Sequence, residues 1–586
     1  MALPLPADAA VQSAEASDVA RSGDPKQTER AGMKTRLLIV GGVAGGATAA
    51  ARARRISETA EITVLERGPY VSYANCGLPY FISRDIESRS DLLLQTPEGF
   101  DRRYRVRVLV RTEAVELDRA QKRVRVRGPE GEAWFPYDKL LLAQGGNPIL
   151  PDLPGSQAPH AFKLWNVPDM DRLHGFIESA RPKTAAIAGG GFIGLEMAEA
   201  FRKRGIETTV VELLPSVMAV MDREFGAMVA GELDRNGVRV LTGTGMKAVH
   251  PDEKTVELSD GRRISAELVL FSVGVRPELA LARSASLEIG ASGGLLVDDH
   301  LRTSDPDIYA AGDMVEIVHK VSGRKVRVPL AGPANRQGRI AASNALGQKM
   351  RYSGAFGTSV VKIFEATAAM TGLSERAARE AGFEPGVAVI HKDHHAGYFP
   401  GALELSLKIV YDRKSAKLLG AQAFGHGGVE KRIDVLATAL QGKMTLPELA
   451  ELDLAYAPPY SSANDPVNLA AFVGVNDLSG FSPLVTAGEL KAALAAAEKP
   501  LVLDVRSRKE FERSHLHGAT HIPVDELRAK WEALPKDRRI IVHCRSGFRS
   551  HLAVRILKGR GFPDVVHVTG GYLSMTAEGG FELEEP

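Results

Sequence analysis

Two stretches of this chain repeat one grammar, and that grammar dictates most of what it can fold into. In the first, Leu37-Leu38-Ile39-Val40 runs into Gly41-Gly42-Val43-Ala44-Gly45-Gly46, then an Ala/Arg-rich helix over 47–56 and a strand Ile62-Thr63-Val64-Leu65 that ends at Glu66. In the second, Ala185–Ala188 runs into Gly189-Gly190-Gly191-Phe192-Ile193-Gly194, a helix to about Arg204, and a strand Thr208–Val211 that ends at Glu212. Strand, glycine turn, helix, strand and acid, with the acid about 20 residues or slightly more after the first glycine, is a βαβ dinucleotide-binding unit. The glycines let backbone approach a pyrophosphate, the helix N-terminus offers N–H groups and the positive end of its dipole, and the terminal carboxylate accepts from a ribose diol. One such loop is a weak signal, and Val43 stands where the first loop would carry its middle glycine. Two loops, each with strand, helix and acid in register, make the chain α/β with two Rossmann-like domains.

The rest of the chain is organised around these units. Residues 270–350 return to the first domain, with short strands Leu295–Val297 and Ile308–Ala310 and then Ala311-Gly312-Asp313. From about 353 to 475 the pattern mixes strand and helix, and 474–483 (GVNDLSGFSP) reads as a polar, Gly/Pro-rich tether. The last hundred or so residues alternate helices with apolar strands Leu501–Leu503, Ile540–Val542 and Val565–Val568, a small separate α/β domain. The expected division is a disordered tail 1–32; a first dinucleotide domain from 33–152 and 274–352; a second from 153–273; an α/β unit 353–475; a linker 476–482; and a terminal domain 483–586. The tail is small, polar and aperiodic, without the basic and apolar regions of a signal peptide, and Met33 is a second possible start. With 74 Lys+Arg against 72 Asp+Glu, charge gives no reason to expect nucleic acid or a membrane surface as partner, and no apolar run reaches membrane-span length.

Only two cysteines occur in 586 residues, and each lies in a motif suited to sulfur chemistry. Cys76 lies in Ser72-Tyr73-Ala74-Asn75-Cys76-Gly77-Leu78-Pro79-Tyr80, and Cys544 in His543-Cys544-Arg545-Ser546-Gly547-Phe548-Arg549-Ser550. Cysteine zinc sites and a disulfide framework are thereby excluded, and a Cys76–Cys544 bridge stays open. Thiols that stay reduced point to the cytoplasm. A redox pair spaced Cys-x4-Cys would need a cysteine at 81, where the chain has Phe81. Cys76 must then cycle with a small thiol or through a sulfenic acid. At Cys544 a strand ends and a tight loop begins, so the N–H groups of 545–549 can form an anion nest, with Arg545 and Arg549 alongside favouring a thiolate. No metal site is expected.

Residues 33–475 resemble the flavin-dependent pyridine nucleotide–disulfide oxidoreductases, in particular their one-cysteine coenzyme A disulfide reductase branch. The resemblance rests on both glycine loops, Tyr309–Asp313, Gly332–Arg339, Ser72-x-x-Asn75-Cys76-Gly77, His395–Gly401 and Ala455–Tyr460. Residues 483–586 resemble a single-domain rhodanese through Asp504-Val505-Arg506, Gly518-Ala519-x-His521-Ile522-Pro523, Cys544-x-x-Gly547-x-Arg549-Ser550 and Gly570-Gly571. Fused, they match reductase–rhodanese proteins described as persulfide or polysulfide reductases. A departure is Ala143-Gln144-Gly145-Gly146, where many relatives carry Thr-Gly.

The resemblance implies FAD in the first loop, held by Gly41, Gly42, Ala44, Gly45, Glu66, Arg67, Asn75, Gly312 and Asp313. It implies NADH in the second, held by Gly189, Gly191, Gly194, Glu212 and Gly274. Coenzyme A is implied as the small thiol on Cys76. For its phosphates and arm the candidates are Arg52, Arg55, Ser72, Asn75, Arg102, Arg103, Asn335 and Arg336, with Arg54 on the same helix. Tyr398 and Tyr456 are implied to reach Cys76 from the partner subunit of a homodimer. The implied activity is NADH-driven, FAD-dependent reduction of coenzyme A persulfide, polysulfide or coenzyme A disulfide through a Cys76 mixed disulfide. Cys544 would act as a sulfurtransferase cysteine, its persulfide loop formed by Arg545, Ser546, Gly547, Phe548 and Arg549. Two other readings stand beside it: an NADH peroxidase or oxidase using a Cys76 sulfenic acid, and a persulfide sensor or sulfur carrier. Against the first, such relatives carry a histidine at the position of Ala44, and no histidine lies between Met33 and Cys76. Against the second, a sensor has no need of a nicotinamide loop.

Overall fold

A computed structural model of the protein describes residues 34–585; the expected disordered tail lies outside them. Both repeated units form parallel five-stranded sheets. The first runs in the order Ile308–Ala310, Lys139–Leu142, Arg36–Val40, Glu61–Leu65, Arg107–Leu109. The second runs Val238–Thr242, Glu207–Glu212, Thr184–Ala188, Leu268–Phe271, Ala161–Phe162. In each, the strand before the glycines is central, pairing Val40 with Leu65 and Ala188 with Val211. Near-continuous Val, Ile, Leu and Ala runs follow from this, because a parallel strand is covered on both faces. Crossing helices place each glycine turn at the carboxyl end of the sheet, where doubly wound folds bind ligands.

A third sheet is antiparallel, in the order Ser359–Ile363, Ala366–Gly372, Leu418–Gly425, Glu404–Asp412, Pro385–Asp393. The helices Val429–Gln441 and Pro466–Leu478 pack on it over Ile409, Tyr411, Leu436 and Val467. The fourth sheet is parallel, in the order Leu484–Val485, Val565–Val568, Ile540–His543, Leu501–Asp504, Thr520–His521. The fold class is therefore the expected one, α/β throughout with two Rossmann-like units.

The expected tether is not a tether. The helix Pro466–Leu478 runs into it, and Asp477 is buried there, accepting from the Tyr411 hydroxyl at 2.6 Å and the Leu484 N–H at 2.9 Å and pairing with Arg413 at 2.8 Å. Ser482 is buried, and the Arg555 guanidinium lies 3.6 Å from the centre of the Phe481 ring. Polar composition suggested a solvated segment; instead its polar groups bind both neighbours. The last domain also docks on the third sheet. Pro385–Asp393 is an edge strand, and Thr569 binds its exposed backbone, accepting from the Val389 N–H at 2.7 Å. His391 on that strand bonds Ser574 at 3.1 Å.

Candidate functional site

The first glycine loop lines a cleft of about 650 Å³, together with Glu66, Arg67, Tyr73, Asn75, Gln144 and Asp313. Gly41 adopts φ +101°, a region side chains avoid. A Cβ on Gly46 would strike the Gly41 carbonyl, so helix and strand approach as closely as backbone allows. Gly46, read as part of the loop but not among the residues expected to hold the cofactor, has the same spacing from Gly41 as Gly194 has from Gly189. Glu66 accepts from the Gly42 N–H at 2.8 Å and the Gly68 N–H at 2.7 Å, which fixes its carboxylate at the loop. Asp313 makes no ion pair or hydrogen bond among the described residues, and burial pushes its pKa up to about 6. The Gln144 Oε1 atom is likewise buried without a partner. A glycine cradle for a pyrophosphate, a fixed acid for a ribose and unpartnered acceptors for hydroxyl or amino groups fit FAD.

The second loop repeats this device. Gly189 has φ +101°, a Cβ on Gly194 would strike the Gly189 carbonyl, and Glu212 accepts from Gly190 N–H at 2.7 Å and Leu214 N–H at 2.8 Å. Gly274, φ +104°, turns the chain beyond the end of that sheet. These residues fit a second dinucleotide whose ribose meets Glu212.

Cys76 sits on a short turn, Asn75–Gly77, that feeds the helix Leu78–Ile82. Ser72, at φ +47°, bends the chain into this segment, and the Leu94 N–H holds its carbonyl at 3.0 Å. The Cys76 thiol is free, reaches solvent and faces Asn75 Oδ1 at 3.8 Å. Surrounding protein desolvates it and the carboxylates Glu196 and Asp313 add repulsion, so its pKa is raised. Glu196, on the second glycine-loop helix, is itself pushed up to about 7 by burial, with its Oε1 3.4 Å from the Tyr80 hydroxyl. Neither Glu196 nor Tyr80 was singled out from sequence, since nothing local marks a buried acid on that helix face.

The basic candidates separate. Arg54 is buried and donates to the carbonyls of Tyr104, Ser57, Ala60 and Arg105, so it is a structural bolt and no ligand for a phosphate. Arg52 leans onto the helix Ala331–Ala345, donating to Ser343 at 3.0 Å, and Arg55 stays exposed. Asn335 and Arg336 are exposed on that neighbouring helix, where Asn335 lies 3.0 Å from Thr48. Arg339, not singled out from sequence, joins them: burial, then the charges of Arg339 and Arg55, lower the Arg52 pKa. Arg102 and Arg103 are exposed in the last turn of the helix Pro97–Tyr104.

Tyr398 and Tyr456 come together, hydroxyl to hydroxyl at 3.1 Å, and remain 76% and 47% exposed. Neither bonds to Cys76 of its own chain among the described residues.

Cys544 is also free but only 1% exposed. The Gly547 N–H donates to its sulfur at 3.1 Å, the one nest contact the loop makes. Of the two arginines expected beside a thiolate, Arg549 does face Cys544, its pKa raised by Glu510 first and then by that sulfur, against burial, while Arg545 is engaged elsewhere. Arg545 pairs with Glu404 of the antiparallel sheet at 3.0 Å, because docking brings that acid to the loop. Arg549 makes a two-pronged pair with Glu510 at 2.6 and 2.7 Å, which holds that carboxyl down to about 2. Ser546, Gly547 and Phe548 line a second cleft of about 770 Å³ between the two domains, with Phe548 71% exposed.

Residues 35–338 match the pyridine nucleotide-disulphide oxidoreductase family, 358–466 its dimerisation domain, and 486–578 the rhodanese-like domain. A protein of Pyrococcus abyssi named NAD(P)H sulfur oxidoreductase (CoA-dependent) is 33% identical over 442 residues, 75% of this chain and 98% of that protein. The structure of reduced Bacillus anthracis CoADR-RHD superposes with a TM-score of 0.90 at 38% identity, covering 93% of this chain and 98% of the other. That of a NAD-dependent persulfide reductase from A. fulgidus superposes with a TM-score of 0.86 at 37% identity, covering 92% and 99%. Twin glycine cradles, a lone thiol after Asn75 and matches along most of the chain lead to one assignment: the protein belongs to the pyridine nucleotide-disulphide oxidoreductase family, with that family's dimerisation domain and a rhodanese-like domain at its C-terminal end.

Proposed function

We propose that this protein is an NADH-driven flavoenzyme that reduces a sulfur–sulfur bond carried by coenzyme A, as persulfide, polysulfide or disulfide, through Cys76. Cys544 is the thiol that accepts and holds sulfane sulfur. The observation that carries this is Cys76 itself: one solvent-reaching thiol next to Asn75, which lines the dinucleotide cleft, with no second cysteine in its domain. A thiol so placed has only an external sulfur to pair with.

Gly41 to Gly46 and Glu66 would hold FAD by its pyrophosphate and adenosine ribose, and Asp313 would take a hydroxyl of its polyol chain. When bound, FAD supplies a two-electron relay between nicotinamide and sulfur. Gly189 to Gly194 and Glu212 would hold NADH. Cys76 thiolate attacks the coenzyme A sulfur of the persulfide, forming Cys76–S–S–CoA and releasing hydrosulfide; two electrons from NADH and one proton then return Cys76 thiolate and coenzyme A thiol. Arg52, Arg55, Arg102, Arg103, Asn335, Arg336 and Arg339 are the groups proposed for coenzyme A phosphates and arm, since guanidinium forks suit phosphate oxygens.

In its own chain Cys76 faces acids, so its thiolate needs a donor from elsewhere. Tyr398 and Tyr456 fit that need. Their mutual bond raises the Tyr398 pKa and keeps its O–H a donor, and their exposure leaves them free to reach a partner. The working unit is then a homodimer in which these tyrosines serve the partner subunit's thiol. Among the described residues no helix is long and apolar enough to cross a membrane, and two free thiols suit the reducing cytoplasm.

Cys76→Ser tests the reading. NADH consumption with coenzyme A persulfide should fall by on the order of 10³-fold or more while the flavin absorbance stays. Retention of half the turnover would sink it. The same assay with coenzyme A disulfide and polysulfide ranks the acceptors. Glu212, with no arginine in Leu213 to Ser216, would accept from a ribose 2′-OH and repel a 2′-phosphate, so NADH should exceed NADPH in kcat/KM by about tenfold. Equal values for the two would refute that role.

A further inference from the structure

Arg545 is engaged by Glu404, and Arg549, although it faces Cys544, is already paired with Glu510, so much of the positive charge at Cys544 is compensated. Its other neighbours are equally quiet. Asp504 on the adjacent strand is matched by Arg506 at 2.6 Å. Burial holds His543 and His391 down to about 4 and His567 to about 3, and it lowers His551, so none of them is a cation near neutral pH. Among the described residues the one cation facing the sulfur, Arg549, is shared with Glu510, so neutral dipoles add to what that half-compensated charge does for the thiolate.

Two such dipoles touch it. One is the Gly547 N–H at 3.1 Å. The other is the Ser550 hydroxyl, 3.6 Å from the sulfur on the first turn of the helix Phe548–Gly559 and fully buried. Ser550 Oγ also lies 2.8 Å from the Gly547 carbonyl and 3.2 Å from His567 Nδ1. With its proton on Nδ1, a neutral His567 would donate to Oγ, which leaves the single hydroxyl proton free to choose between the Gly547 carbonyl and the sulfur.

We propose that Ser550 is a catalytic hydroxyl that stabilises the ionised form of Cys544, and that His567 is the positioning residue that holds it. In the thiol state S–H donates to Oγ and the hydroxyl points to the Gly547 carbonyl. When the thiol loses its proton to water in the adjoining cleft, the hydroxyl turns to the sulfur, which then accepts from Ser550 O–H and Gly547 N–H. No covalent bond beyond S–H changes. His567 lines that cleft, so Ser550 is braced from the side where substrate would enter.

This rests on Cys544 being the sulfur-carrying thiol, and the test reads its ionisation without requiring sulfur transfer. The full chain carrying Cys76→Ser leaves Cys544 as the one cysteine. Its iodoacetamide alkylation is followed from pH 5 to 10. Adding Ser550→Ala should slow alkylation at neutral pH by about tenfold and move the profile up by about one pH unit, with the high-pH plateau unchanged. His567→Leu should give a shift in the same direction of about threefold, and His567→Asn, which keeps an N–H donor, should lie with the parent. A Ser550→Ala profile that overlays the parent overturns the proposal. So does an equal slowing at every pH, plateau included, which would make Ser550 a packing residue. A His567→Leu profile that overlays the parent removes the brace.

Discussion

Cys76 and Cys544 are the same atom in opposite settings. Cys76 reaches solvent on a three-residue turn, faces two carboxylates and has a raised pKa. Cys544 is buried at the end of a strand, under an N–H and a hydroxyl, with each nearby arginine matched to an acid. The difference teaches where each thiol gets its reactivity. Cys544 is prepared by its own domain, because a loop of six residues can aim backbone and hydroxyl dipoles at one sulfur. Cys76 is left incomplete by its own chain, as a thiol must be if flavin, nicotinamide, acyl-free coenzyme A sulfur and the partner's phenols all have to converge on it. Docking makes the contrast sharper. The second thiol sits in a domain fastened by Thr569, His391 and Arg545, so whatever passes between the two sites has to move as a diffusing or swinging ligand, with the domain held still.

The largest break of this comparison is functional. Cys544→Ser should lose sulfurtransferase activity with thiosulfate or polysulfide by on the order of 10³-fold, yet keep NADH-driven reduction of preformed coenzyme A persulfide. Loss of both activities in a folded protein would mean a single obligatory relay through both sulfurs. A smaller effect tests whether the Cys544 loop is braced by charge. Glu510 is held below its ordinary value, to about 2, so its pairing contributes stability above the unfolded carboxylate pKa and loses it as pH falls from about 4 toward 2. Glu510→Gln should therefore weaken the last domain by about 1–2 kcal/mol at pH 7, and the deficit should shrink toward zero near pH 2. Amide exchange across residues 501–568 would measure it, and a deficit independent of pH would assign the loss to packing. The smallest effect concerns Cys76. Glu196, with its own pKa near 7, is partly ionised at neutral pH and raises the thiol. Glu196→Gln in a Cys544→Ser background should speed Cys76 alkylation at pH 7.5 by about threefold and move its profile to lower pH. No movement would leave burial and Asp313 as the causes.

How much of this was legible beforehand differs by residue. The two Rossmann-like units could be read directly, since a glycine turn between an apolar strand and a helix is a local backbone instruction. Glu66 and Glu212 were found by spacing, and the structure puts both carboxylates on their loops with matching pairs of N–H bonds. Gly46 was read as part of the loop but not as one of the residues that hold the cofactor, and the structure gives it the role of letting helix and strand approach. Arg54, Arg545 and Arg549 show the limit. Each was a basic residue in a plausible place, and each binds a partner that the chain brings in from elsewhere, the carbonyls of Tyr104 and Arg105, Glu404, and Glu510, with only Arg549 still facing the thiol it was expected beside.

The sequence by itself determined the element types, the paired dinucleotide units, the lone thiol at 76 and the loop around 544, because all of these are written in residues close together along the chain. Only the tertiary structure decided which charges cancel, that 474–483 is packed and not loose, and that His567 stands behind Ser550. Those outcomes depend on which side chains meet across separations from 17 residues, as for Ser550 and His567, to 141, as for Arg545 and Glu404. A hydrogen bond or ion pair in a buried place is settled by position and desolvation, and neither can be counted from composition or spacing.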